Sequence, residues 1–168
     1  MSTNKFITVL NGIKTLVTGI STSAGVGDAN KLIATNSTGK LDTTLLPAGL
    51  GVSTITVVAS EAISAGDFVN LFNNTGTLTV RKADNSNGRE ANGFTLAAIS
   101  NAASGTVYLS GQNTSLTGLT VGTNYYLGVS GGVTTTAPTT ANAIIQVLGK
   151  TISATNLTFE YDEPVIIQ

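Results

Sequence analysis

From residue 5 the chain reads KFITVLNGIKTLVT, two apolar runs of β-forming residues on either side of Asn11-Gly12. Asn-Gly is the pair that a two-residue type I′ turn prefers, because both central positions take positive φ. The pattern therefore predicts a hairpin over residues 5 to 18. Pairing through that turn places Phe6, Leu10, Ile13 and Val17 on one face, with Thr8 opposite Thr15. Ile7, Val9 and Leu16 fall on the other face, beside Lys5 and Lys14. Both faces are apolar, and a two-stranded hairpin alone is marginal in water. Either it is an inner pair of strands in a larger sheet, or it needs cover from outside its own domain.

Residues 19 to 52 lose the strand period. Small residues in GISTSAGVGDAN lead to a short apolar step at Leu32-Ile33-Ala34, then to a turn at Asn36 to Gly39, then to LDTTLLPAGLG. Asp42 is placed to cap one helical turn over Thr43 to Leu46, which Pro47 would end. Leu41, Leu45, Leu46, Pro47 and Leu50 crowd this segment. Irregular segments of this length inside compact domains are usually functional or disordered, and so many leucines argue against disorder. Residues 1–52 are thus expected to form an N-terminal hairpin and extended arm for attachment or oligomerisation.

From Ile55 the pattern becomes short apolar segments bounded by Gly, Asn, Ser or Pro: ITVVAS, DFVNLF, TLTVRKA, GFTLAAIS, GTVYLS, NYYLGV, GGVTTT, AIIQVLG, NLTFEYD and PVIIQ. Several alternate with a period of two, and none sustains a helical period. Residues 53–168 are expected to form a compact antiparallel β-barrel or β-sandwich, making the chain all-β. Within it, Asp67 is expected to bond local backbone amides at the Gly66-Asp67 turn. Arg81, Lys82 and Arg89 should solubilise a hairpin tip. Tyr125 and Tyr126 should point to opposite sides of a strand, and TTTAPTTANA (134–143) should be an exposed loop.

Composition fits this picture and removes several functions from it. Of 168 residues 41% are apolar, and the 28 Thr and 19 Gly favour strands and turns. Charged residues are 10% of the chain with a net charge of -1, so no electrostatic footprint for nucleic acid or an anionic membrane is present. No apolar run reaches the length of a signal-peptide core or a membrane span, so the chain is expected to be made and kept soluble. Cysteine and histidine are both absent. That removes thiolate chemistry, the commonest general acid/base and the commonest zinc ligand.

Other chemistries fare no better. A P-loop fails at STGK, because Leu41 follows Gly39-Lys40 and Ala34 stands where the first glycine belongs. Glu160, Asp162 and Glu163 cluster near the C-terminus, where strand alternation would put Glu160 and Asp162 on one face. They could serve as paired carboxylates or oxygen ligands for Ca²⁺, but a solvated strand face accounts for them more simply. No catalytic residue, cofactor or metal ligand is expected.

Several stretches in order carry a resemblance: the leading ITVLNG, SAGVGDANKLIATNSTGKLDTTLLPAGLG, SEAISAGDFVNLFN with VRKAD and ANGFTLAAI, LTGLTVGTNYYLGVSGGVTTT, and QVLGKTISATNLTFE. Together they resemble tailed-bacteriophage virion structural proteins of the capsid cement (decoration) and head-fibre kind. Related patches occur in tail-fibre proteins, and the GKLDTTLLP element resembles stretches of several kinds of phage structural protein. The resemblance implies a homotrimeric β-structured protein on the capsid surface of the virion, made in the host cytoplasm, whose partner is the major capsid protein. It carries no motif of named ligands or catalysts. The residues expected at a capsid or subunit interface are Phe6, Ile7, Val9, Leu10, Leu16, Leu41, Leu45, Leu46, Pro47 and Leu50. The alternatives are a tail-fibre or receptor-binding component touching a host glycan or protein, and a histidine-free glycan hydrolase acting through Glu160, Asp162 and Glu163.

Overall fold

The computed structural model describes residues 5–46 and 52–168. The chain divides into two compact units, Met1–Gly51 and Val52–Gln168. Pro47, Leu50 and the side chain of Leu10 lie outside the described residues.

In the first unit, β1 (Lys5–Leu10) and β2 (Ile13–Thr18) pair antiparallel, with Phe6 opposite Val17, Ile7 opposite Leu16 and Val9 opposite Lys14. Asn11 and Gly12 take φ of 51° and 80°, as a type I′ turn requires. The two strands form a sheet of their own rather than the inner pair of a larger one. Beyond them the chain is irregular but tied down. Ile20 and Ile33 form a parallel bridge, with the Ile20 N–H donating to Leu32 O and the Ala34 N–H to Ile20 O, both at 2.8 Å. Single 3₁₀ turns occupy Val26–Asp28 and Thr43–Leu45. The second is capped by Asp42, and Leu46 leaves it in an extended conformation, as a residue before proline must.

The second unit is all-β. Strands β3 (Thr54–Ala59), β4 (Phe68–Asn74), β5 (Thr77–Lys82), β6 (Gly93–Phe94) and β7 (Ser104–Tyr108) close a barrel in the order β3-β5-β4-β6-β7. Its pairings are antiparallel except for β3 with β5, which run parallel. Next come β8 (Gly111–Asn113), β9 (Asn124–Leu127), β10 (Val133–Thr134), β11 (Ile144–Ile145), β12 (Val147–Thr151), β13 (Leu157–Phe159) and β14 (Val165–Ile166). They build a five-stranded sheet in the order β10-β9-β12-β13-β8, and a separate pair, β11 with β14.

Two buried clusters hold this unit. Inside the barrel, Val57, Ile63, Val69, Val80, Ile99 and Val107 pack together. Phe68 and Phe94 from barrel strands pack with Leu127, Leu148, Leu157 and Phe159 from the sheet, so barrel and sheet share one core. Phe159 meets Phe68 and Phe94 edge-on, with centroids 5.4 and 5.9 Å apart, a geometry the ring quadrupoles favour. Buried polar groups work as fasteners. The Gln146 amide accepts from the Ala91 N–H at 2.7 Å and donates to Ala91 O at 2.9 Å and Asp162 O at 2.8 Å, which anchors the C-terminal stretch.

AIIQVLG is two strands and not one, because Ile144–Ile145 pairs with β14 while Val147–Thr151 pairs with β9 and β13. GFTLAAIS shrinks to the two residues of β6. NLTFEYD stops at Phe159, so the expectation that Glu160 and Asp162 share a strand face is not met.

Candidate functional site

The first unit combines strand-forming residues with little burial. On the Lys5 and Lys14 face of the hairpin, Ile7, Val9 and Leu16 are 74%, 62% and 58% exposed, and Ile13 near the turn is 69% exposed on the opposite face. The far end of that opposite face is better protected. A Cβ on Gly19 would stand 2.6 Å from the Phe6 ring and 3.2 Å from the Ala34 side chain, so the chain leaving β2 passes directly over Phe6. Ala34 is the buried apolar residue of the described part of this unit. The arm therefore covers one end of one hairpin face and leaves the other face bare.

The arm is held by side chains bonding nearby backbone, which needs no core. Asn36 Oδ1 accepts from the Thr38 N–H and Lys40 N–H, each at 3.0 Å, and from Thr38 Oγ1 at 2.7 Å. Asp42 Oδ1 accepts from the Thr44 N–H at 3.0 Å and from Thr44 Oγ1 at 2.7 Å. The same Thr44 oxygen accepts from the Ser23 N–H at 2.9 Å, which fastens the 3₁₀ turn at Thr43 to the segment before Val26. Asp28 pairs with the Lys31 ammonium and accepts from the Ala24 N–H, both at 2.6 Å. Those bonds hold the Asp28 carboxyl below its ordinary range, the lysine contact foremost. The Thr44 amide and hydroxyl do the same for Asp42.

These ties shape a hollow of about 390 Å³ lined by Ile20, Ile33, Ala29, Thr44, Leu45 and Leu46, among others. Leu45 is half-buried in it, while Leu41 and Leu46 are exposed. Of the residues expected at an interface, the structure thus brings Ile7, Val9 and Leu16 onto one open hairpin face. Leu45 and Leu46 line the hollow, Leu41 is exposed beyond the 36–40 turn, and Phe6 is turned partly inward. Sequence reasoning omitted Ile13, Val26, Leu32 and Ile33, all exposed. The Leu32-Ile33 step was visible in the sequence, but its exposure depends on the Ile20 bridge, which no local pattern announces.

No protein-family model and no curated protein matches this sequence. Among solved structures, the N base of the head fibre of bacteriophage phi29 is similar at a TM-score of 0.45 and 13% identity. The alignment spans 67% of this chain and 99% of that one. At this level the likeness carries no argument.

Several charged groups of the second unit are committed to structure. Asp67 accepts from the Ser64 N–H at 2.8 Å, as expected, and also pairs with Lys82 at 3.1 Å. Arg81 donates from Nε to Asn70 Oδ1 at 2.9 Å, with its guanidinium 4.2 Å from the Phe72 ring centroid. Arg81 and Lys82 therefore brace β4 against β5 and do not merely solubilise a tip. Tyr125 is buried and Tyr126 half-exposed, one ring to each side of β9. Glu160, Asp162 and Glu163 are exposed, and the described residues contain no group of three acidic, His or Cys side chains placed to hold a metal ion. Tyr161 donates its hydroxyl to Glu90 at 3.0 Å, and desolvation together with that carboxylate raises its pKa.

Proposed function

We propose that the protein is a non-enzymatic structural component of a bacteriophage virion that binds the outside of the capsid as a cement or decoration protein, through residues 1–52. The observation that carries this reading is the apolar surface of the arm, where Leu32, Leu41 and Leu46 are exposed and Leu45 and Leu46 help to line an open hollow. Each such side chain fully buried contributes about 1.5 to 3 kcal/mol relative to exposure. If three copies engage together, these contributions combine through effective concentration. The near-neutral surface suits recognition by shape and apolar contact. The ordered run of motifs from ITVLNG to QVLGKTISATNLTFE supports the virion setting.

Replacing Leu45 and Leu46 by Asp in the full chain tests the reading, with co-sedimentation on shells lacking this protein as the measurement. Loss of binding with an unchanged thermal transition is the expected result, and undiminished binding would remove these leucines from the interface.

The tail-fibre or receptor-binding alternative has one observation in its favour. Half-exposed Tyr161 borders a hollow of about 420 Å³ with Lys150, Thr158, Glu160 and Asp162, a mix of ring and polar groups able to meet a host-surface ligand. Copy number in purified virions separates the two, with hundreds of copies for a cement protein and a handful for a tail-tip protein.

A further inference from the structure

Two exposed strips of this chain are complementary in charge and alike in apolar character. One is the open hairpin face, where Ile7, Val9 and Leu16 lie with Lys5 and Lys14. Residues 1 to 27 contain no acid, and the two acids of the first unit, Asp28 and Asp42, are engaged by Lys31 and by Thr44. Among the described residues the ion pairs are Lys31 with Asp28 and Lys82 with Asp67, so neither hairpin lysine has an acidic partner.

The other strip is the C-terminal stretch 160–166. Tyr161, Val165 and Ile166 are 50%, 64% and 65% exposed there, among the exposed acids Glu160, Asp162 and Glu163. Its strand β14 pairs with β11, and the flanking bonds from the Ile167 N–H to Ala143 O and from the Asn142 N–H to Ile167 O lie on that same side. Among the described residues its second edge has no strand partner. An open edge with apolar side chains is a template for another strand.

Net charge follows the same division. The first unit has four lysines against two aspartates, while the second has seven acids against four basic residues. Stacking two hairpin faces on each other would set lysines against lysines with no acid between, which disfavours a symmetric contact. We propose that the Lys5 and Lys14 face of the hairpin in one copy docks on the 160–166 strip of a second copy. Such a contact is head-to-tail, and it closes into a ring where the rotation between copies allows. This inference concerns the chain in solution and does not depend on the virion reading.

The test uses the full chain. Isotopically light and heavy chains are mixed, treated with a carbodiimide that joins lysine to carboxylate directly, and digested for mass spectrometry. The expected product links Lys5 or Lys14 of one isotope to Glu160, Asp162 or Glu163 of the other. Links confined to chains of the same isotope, or no such links, would overturn the proposal.

Charge reversal gives a second readout by sedimentation equilibrium. Lys5→Glu with Lys14→Glu, and separately Glu160→Lys with Glu163→Lys, should each weaken self-association by about tenfold or more. Mixing the two purified variants should restore association between them. Wild-type self-association in both variants, or no association on mixing, would also refute it. All four side chains are exposed, and circular dichroism of each variant checks that it folds.

Discussion

Strand-forming sequence meets opposite fates in the two units of this chain. In Val52–Gln168, Phe68, Phe94, Leu127, Leu148 and Phe159 are fully buried, and short strands hold because barrel and sheet share their core. In the first unit a hairpin just as apolar buries almost nothing, and its shape comes from Asn36, Asp42 and Asp28 bonding nearby backbone. A small core is all that so few residues can enclose. The lesson is that stability and apolar surface have been separated, with one unit spending its hydrophobic residues on folding and the other displaying them.

The largest effect that would sharpen this contrast is in the shared core. Phe159→Ala should cost about 3 to 5 kcal/mol by urea denaturation, because it removes a ring at the centre of the Phe68 and Phe94 contacts and leaves a cavity. Ile7→Ala should change that transition by no more than about 0.5 kcal/mol, as an exposed side chain should. Comparable losses from the two substitutions would break the distinction between the units.

Acid should produce a smaller effect, in the first unit. Asp28 and Asp42 both titrate below their ordinary range when folded, so their contribution is complete above the unfolded value of about 3.9 and is lost as the pH falls through the folded values. Amide chemical shifts of Ala24 and Thr44 should therefore move below about pH 4 while that of Val107 in the buried core stays fixed. A simultaneous change at all three would mean that the arm does not depend on these carboxylates.

Much of this organisation was legible because its causes are local. The register of the hairpin follows from Asn11-Gly12, and the turn at Thr43 from Asp42. What was hidden depends on contacts distant in sequence. The polar strand Gly111–Asn113 carries no apolar signal and exists because Leu157 to Phe159 pair with it. The roles of Arg81 and Lys82 appear only when Asn70 and Asp67 are brought beside them. Glu160 and Asp162 looked like one strand face because alternation continues in the sequence past Phe159, where pairing ends. For the site, the sequence showed which residues were apolar in excess, but the bareness of Ile7 and the partial cover of Phe6 required the path of the chain over Gly19.

The central claim is that the open hairpin face is built to be covered by another chain. Ile7→Asp with Leu16→Asp in the full protein tests it most directly, with thermal unfolding and association measured on the same sample. The account predicts an unchanged transition for the Val52–Gln168 unit and loss of association between sister copies. Undiminished self-association would contradict it.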